Sequence, residues 1–302
     1  IINSCLSKIK KNPEIHDKIE FKCIETSLDF INNNKILKFG NDYKKKLFSI
    51  TKNFVLENKF LNKELDKVKI LEDKISNIKK SNLSEIQKIY YLIFFTKNYG
   101  TLPFAGAARL AFVGTKFLKS LKDLNVINQA ELESFYHQPK SIPNLIKSDL
   151  DKLRKKKISK QKFLNKYGHL RPHSYNITSK NYSENFNIYF NIKNKVDFKR
   201  TKIIKINKNK ISIIQKLINK NRLKISSSKF LEFIKNSIYA REYCKFVFTK
   251  GIDEIFNNIN KLCNEIKIKK KDIQFTTINT FKKNLSSLSP EKLKDILNSE
   301  IK

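Results

Sequence analysis

The chain has no methionine and no tryptophan, and its 302 residues include only six glycines, six prolines and four cysteines. Each shortage excludes something. Six glycines cannot build a Gly-rich phosphate cradle, and neither G-x-x-x-x-G-K-[ST] nor G-x-G-x-x-G occurs, so the segment is not expected to hold a nucleotide by itself. G-x-S-x-G and H-E-x-x-H are missing too, and no pair of carboxylates stands in a distinctive setting, which argues against a hydrolase centre. Cys5, Cys23, Cys244 and Cys263 lie far apart with no C-x-x-C pair. They read as reduced, mostly buried thiols, and no metal or disulfide framework is assigned. Lacking Met and starting at Ile1 in an apolar run, the chain reads as an excised piece of a longer protein, and residues 1–10 show no secretory signal. The longest uncharged apolar stretch, residues 89–96, falls well short of the ~20 residues that cross a bilayer. A soluble, cytoplasmic protein without membrane contact is expected.

Acidic residues are also scarce: 28 Asp and Glu against 63 Lys and Arg leave a formal charge of +35. Such an excess ordinarily suggests a polyanionic partner. Here the basic residues are scattered, with compact runs only at residues 154–157 and 269–271, and no zinc-finger spacing or RNP-type motif accompanies them. A Lys-rich solvated surface is the better reading, which argues against nucleic acid.

The remaining texture is helical, so the expected fold is mainly α: a multi-helix domain with a few short strands near the N-terminus and mid-chain. Alternation of Ile19, Phe21 and Cys23 with Glu20 and Lys22 predicts one strand, and residues 187–192 predict a weaker one. Apolar residues recur at helical intervals over residues 43–80. Ser84 and Gln87 form a capping-box pattern opening a helix whose apolar positions are Ile86, Ile89, Tyr90, Ile93 and Phe94, with Gly100 placed to end it. Thr101 and Pro103 then suggest a new start, followed by a small-residue face of Ala107, Ala111 and Gly114 suited to close helix packing. Arg109 on this helix needs a carboxylate or phosphate if buried. Asn128 with Glu131 marks another start, and a short helix closes at Tyr167 before Gly168. From His169 to about Lys208 the chain is polar, aromatic and poor in rhythm, a long loop of the kind that often carries function. Helices resume to the end, the most regular spanning residues 229–249 and stopping before Gly251. The loop suggests lobes at 1–175 and 205–302, although a single domain of 1–302 fits equally well.

Two clusters concentrate polar contact groups. In KYGHLRPHSYNITS, residues 166–179, His169 has an ordinary pKa near neutrality and Arg171, stiffened by Pro172, offers a planar donor fork to a carboxylate or phosphate. Helix-end or loop-ordering duty for His169 and an internal salt bridge for Arg171 are the plainer alternatives. In YAREYCKFVFTKG, residues 239–251, Arg241 and Lys245 share a helix face, and two like charges there call for an anion between them. With Tyr175, these residues are expected to meet at one concave site that binds substrate; Arg109 is a further candidate. No residue is assigned a catalytic role.

NPEIHDKIEF (residues 12–21), YGTLPFAGAARLAF (99–112), KYGHLRPHSYNITS and AREYCKFVFTKG, in that order, resemble the central helical region of phosphoenolpyruvate-synthase-like and pyruvate-phosphate-dikinase-like phosphotransferases. The branch with L-glutamine kinases is the nearer likeness, and rifampin phosphotransferases are more distant. The resemblance implies a central segment that scaffolds the enzyme and binds a small-molecule acceptor, an amino-acid amide in that branch. ATP and Mg would belong to an ATP-grasp domain, and the phosphoryl carrier to a phosphohistidine domain, of the same parent chain. His16, His137, His169 and His173 all lack the Gly- and Ser/Thr-rich setting of the carrier. Where relatives commonly continue with Gly-Thr-Tyr-Asp, this chain has His173, Ser174, Tyr175 and Asn176. The competing class is a basic helical module for nucleic acid or an acidic protein.

Overall fold

A computed structural model describes residues 59–137, 141–190, 206–284 and 290–301, with Ser49, Lys52, Asn53 and Val55 before them. Helices make up most of it: α1 (Lys59–Lys80), α2 (Glu85–Thr96), α3 (Leu102–Asp123), α4 (Gln129–Tyr136), α5 (Ile142–Arg154), α6 (Lys160–Tyr167), α7 (Phe186–Tyr189), α8 (Lys208–Lys220), α9 (Ser227–Glu265), α10 (Ile278–Asn284) and α11 (Pro290–Ile301). A π-helical turn (Lys97–Thr101) lies between α2 and α3, and a 3-10 turn (Ile273–Phe275) precedes α10.

Among the described residues there is no strand, which corrects the expectation of short strands. Ile19 to Cys23 lie outside the described residues. In the mid-chain candidate, Phe186 and Phe190 pair across one helical turn with ring centroids 5.3 Å apart, and both pack on Phe163. Strand alternation would have buried Ile188 with Phe190, but Ile188 is exposed. The aromatic pair at helical spacing decides the local structure.

Cap chemistry reads through to the fold. Ser84 Oγ accepts from Gln87 N–H while Gln87 Oε1 accepts from Ser84 N–H, the reciprocal box that opens α2. Asn128 and Glu131 make the same exchange before α4. The glycines behave otherwise. Gly100 does not end a helix; it sits inside the π-helical turn that carries α2 into α3, where a Cβ would stand 2.8 Å from Phe248 Cβ and 2.9 Å from Leu71 Cδ2. Gly251 lies within α9, which runs on to Glu265, and a Cβ there would collide with the Thr96 side chain. Both are small because another element crosses closely, and no described glycine has positive φ.

The described residues form two compact units, neither a continuous stretch. One comprises Ile1–Phe60, Arg109–Phe135 and Ile204–Ile238. In it, a Cβ on Gly114 would stand 2.5 Å from Ser237 Oγ and 3.4 Å from Ile234 Cα, the close approach expected of the small-residue face. Phe117 packs edge-on against Phe230, and buried Glu131 accepts from Lys210 Nζ at 2.6 Å. That ammonium and the Asn128 N–H outweigh desolvation and hold the Glu131 carboxyl below its ordinary pKa. The other unit comprises Leu61–Ala108, Tyr136–Ile203 and Tyr239–Lys302, with Leu71, Ile89, Leu92, Phe163 and Tyr167 deeply buried in its core.

Candidate functional site

Within the second unit, two of the segments that stood out in the sequence converge on the third, which is the part of α9 between Arg241 and Asp253. Phe104 packs against Phe248 with centroids 5.1 Å apart, and Gly100 closes on the same residue. From the loop after α6, His169 reaches the Phe246 carbonyl at 3.1 Å, Tyr175 stacks beside Phe248, and Arg171 binds Asp253. NPEIHDKIEF lies outside the described residues.

The loop is ordered by its own polar groups. Tyr182 N–H donates to Leu170 O and Ser183 N–H to Gly168 O, while Asn181 and Glu184 cap each other reciprocally. A Cβ on Gly168 would overlap Ser183 Oγ, so only glycine lets the loop fold back here. Asn176 Oδ1 accepts from Thr178 N–H and Oγ1–H at 2.8 and 2.7 Å, a side-chain turn that an aspartate at the same place could also make.

Arg171 is committed internally. Its side chain is 4% exposed, one Nη donates to Asp253 Oδ1, the other donates to Ser179 O at 3.1 Å, and the guanidinium lies over the Phe256 ring. Asn181 Nδ2 also donates to Asp253 Oδ1 at 2.9 Å. Burial pushes the Asp253 carboxyl above its ordinary pKa, and the Asn181 amide and Arg171 guanidinium oppose the push. The fork therefore serves the internal salt bridge, the plainer of the two readings.

His169 is half-buried beside Phe246, with ring centroids 4.8 Å apart. Desolvation, assisted by the charges of Lys250 and Arg171, pulls its pKa down to about 3. A carbonyl only accepts, so Nε2 carries the proton toward Phe246 O, leaving Nδ1 with the lone pair. A general base works best with a pKa near the operating pH. This imidazole is instead a fixed neutral acceptor.

The other candidates are dispersed. Tyr175 and Lys245 are exposed, and Arg241 Nε lies 3.7 Å from Glu242 Oε1. Asp253, which holds Arg171, is twelve residues beyond Arg241 on α9, about 18 Å along the helix axis at 1.5 Å per residue. Arg109 is exposed and belongs to the other unit.

What the loop and α9 do enclose is a polar cleft of about 590 Å³ lined by His169, Asn181, Glu184, Lys250, Asp253 and Asn257, with Lys79 and Glu254 at its side. Phe246, Lys250, Asp253 and Asn257 recur at intervals of four, three and four and so share one helix face. That spacing was available in the sequence, but only once α9 is known to continue through Gly251. Charges balance around the cleft. Lys79 meets Glu254 at 2.8 Å, Lys250 meets Glu72 at 2.5 Å, Arg171 meets Asp253, and Lys270 reaches Glu184 at 3.9 Å. In a chain of +35 this local neutrality suits a polar molecule of little net charge better than a polyanion.

Cys244 and Cys263 are free and buried, and burial raises their thiols to about 12 and about 11, so both stay protonated. Among the described residues no group of three or more His, Cys, Asp or Glu could hold a metal ion, and no helix is long and apolar enough to cross a membrane. Compared with known proteins, the chain matches no family model, no curated protein and no solved structure.

Proposed function

We propose that this chain is the acceptor-binding and scaffolding segment of a cytoplasmic, ATP-dependent phosphotransferase of the phosphoenolpyruvate-synthase-like type. ATP and Mg are assigned to an ATP-grasp domain and the phosphoryl carrier to a phosphohistidine domain of the same parent chain. One observation carries the reading: the three described segments that resemble that family, far apart in sequence, meet along α9, and two of them line a single polar cleft through His169 and Lys250. A phosphotransfer acceptor needs positioning more than covalent help. The cleft offers fixed amides, the Lys250 ammonium and a neutral imidazole acceptor, a set that orients a small polar molecule without reacting with it. Its charge balance favours an acceptor such as an amino-acid amide over nucleic acid.

Sequencing the coding region on either side tests this reading. An open frame continuing into ATP-grasp and phosphohistidine domains supports it. A frame flanked by unrelated domains, together with steeply salt-dependent binding of the chain to random DNA, would overturn it in favour of the basic-module class.

A further inference from the structure

A second cavity in the same unit is built on opposite principles. It encloses about 520 Å³ and is lined chiefly by apolar side chains: Ile177 from the loop, Ile255 and Ile259 from α9, Ile273 from the 3-10 turn and Phe281 from α10, with Tyr175 at its edge. This volume lies in the range of small-molecule sites, about 300–1,000 Å³. Around it stand Tyr175 at 66%, Phe275 at 64% and Ile278 at 53% exposure, a concentration of apolar surface presented to water. The chain enters the 3-10 turn from one of its two compact basic runs. Lys271 is two residues from Ile273, hence within about 7.6 Å of it from Cα to Cα. Lys267, Lys269 and Lys271 are exposed, and Asp272 is the acid within the run. Glu300, the carboxylate nearest on α11, is engaged by Thr280 Oγ1 at 2.5 Å and Thr277 N–H at 3.3 Å.

We infer that this groove binds a small amphiphile, an aliphatic chain ending in a carboxylate, with the tail among Ile255, Ile259, Ile273 and Phe281 and the anionic end in the field of Lys269 and Lys271. Apolar lining alone would accept any hydrophobic partner. The basic run beside it supplies the charge complementarity that selects an anionic end. The site shares no lining residue with the polar cleft and does not depend on the acceptor reading.

Calorimetric titration of the chain with monomeric octanoate, decanoate and decyltrimethylammonium tests the inference. One-to-one decanoate binding is expected, tighter than octanoate by about fourfold for each of two added methylenes, with decyltrimethylammonium at least tenfold weaker. A chain of +35 attracts any anion, so variants at exposed positions supply the discriminating arm. Ile278→Asp should weaken decanoate at least tenfold, and Lys269→Glu with Lys271→Glu should do the same while erasing the preference over the cation. Unchanged affinity in both variants, or no dependence on tail length, would overturn the site. Binding to anionic vesicles without binding of monomeric decanoate would overturn it in favour of a membrane surface. Self-association lost in Ile278→Asp, again without decanoate binding, would overturn it in favour of a second copy of the chain.

Discussion

The Arg171 guanidinium and the Asp253 carboxylate are each worth little alone in a buried setting, because removing either strands the other's charge. Arg171→Met should therefore destabilise the chain by about 3–5 kcal/mol in urea unfolding, and adding Asp253→Leu should recover most of that loss. A single variant as stable as the parent would contradict the buried pair. His169 makes a prediction in pH. Unfolded, it protonates below its ordinary value of 6.5; folded, it stays neutral down to about 3. Its contribution to stability is whole above pH 6.5 and drains away as the pH falls from 6.5 toward 3. Over that window the melting temperature of the parent should fall more steeply than that of His169→Gln, and parallel profiles would contradict the desolvated imidazole. The need of Arg171 for a fixed anion was legible in its sequence setting. Its partner was not, because Asp253 lies beyond a glycine that reads as a helix end.

That glycine shows what is lost at the scale of elements. A sequence shows the same letter where a glycine stops a helix and where it admits a crossing neighbour, and Gly100 and Gly251 both belong to the second kind. Caps are different, since both partners of the exchange are written a fixed distance apart, and the Ser84–Gln87 and Asn128–Glu131 boxes form as their spacing predicts. The short strand at mid-chain failed because an i,i+4 aromatic pair outcompeted alternation. Gly251→Ala separates the two uses of glycine. Helix propensity alone predicts a gain of up to ~1 kcal/mol. The Thr96 contact instead predicts a loss of about 1–3 kcal/mol, as overpacking costs. Thr96→Ala should relieve it in the double variant, and because the buried Thr96 Oγ1 has no hydrogen-bond partner, its removal forfeits no bond. Strict additivity of the two changes in denaturant unfolding would contradict the close packing.

At the scale of the whole molecule, the distribution of charge says more than its sum. Lysines pair locally with acids on their own helices, as Lys69 with Asp66 and Lys152 with Asp149 do, and the polar cleft is balanced where the chain as a whole is strongly basic. The helical class was legible, and so was the irregular, polar character of the loop after Tyr167. The cleft was not, because its lining comes from segments that only the fold brings together. If the cleft holds the acceptor, blocking it should stop one half of the reaction and spare the other. Asn165 lines it from an exposed position, so Asn165→Trp should fill the mouth without disturbing the core. The direct measurement is the two half-reactions of this variant in the proposed parent polypeptide, which on this reading joins the segment to ATP-grasp and phosphohistidine domains. Acceptor-dependent turnover should fall at least tenfold while ATP-driven phosphorylation of the carrier histidine is unchanged. Equal loss of both half-reactions, or of neither, would contradict the assignment of this cleft to the acceptor.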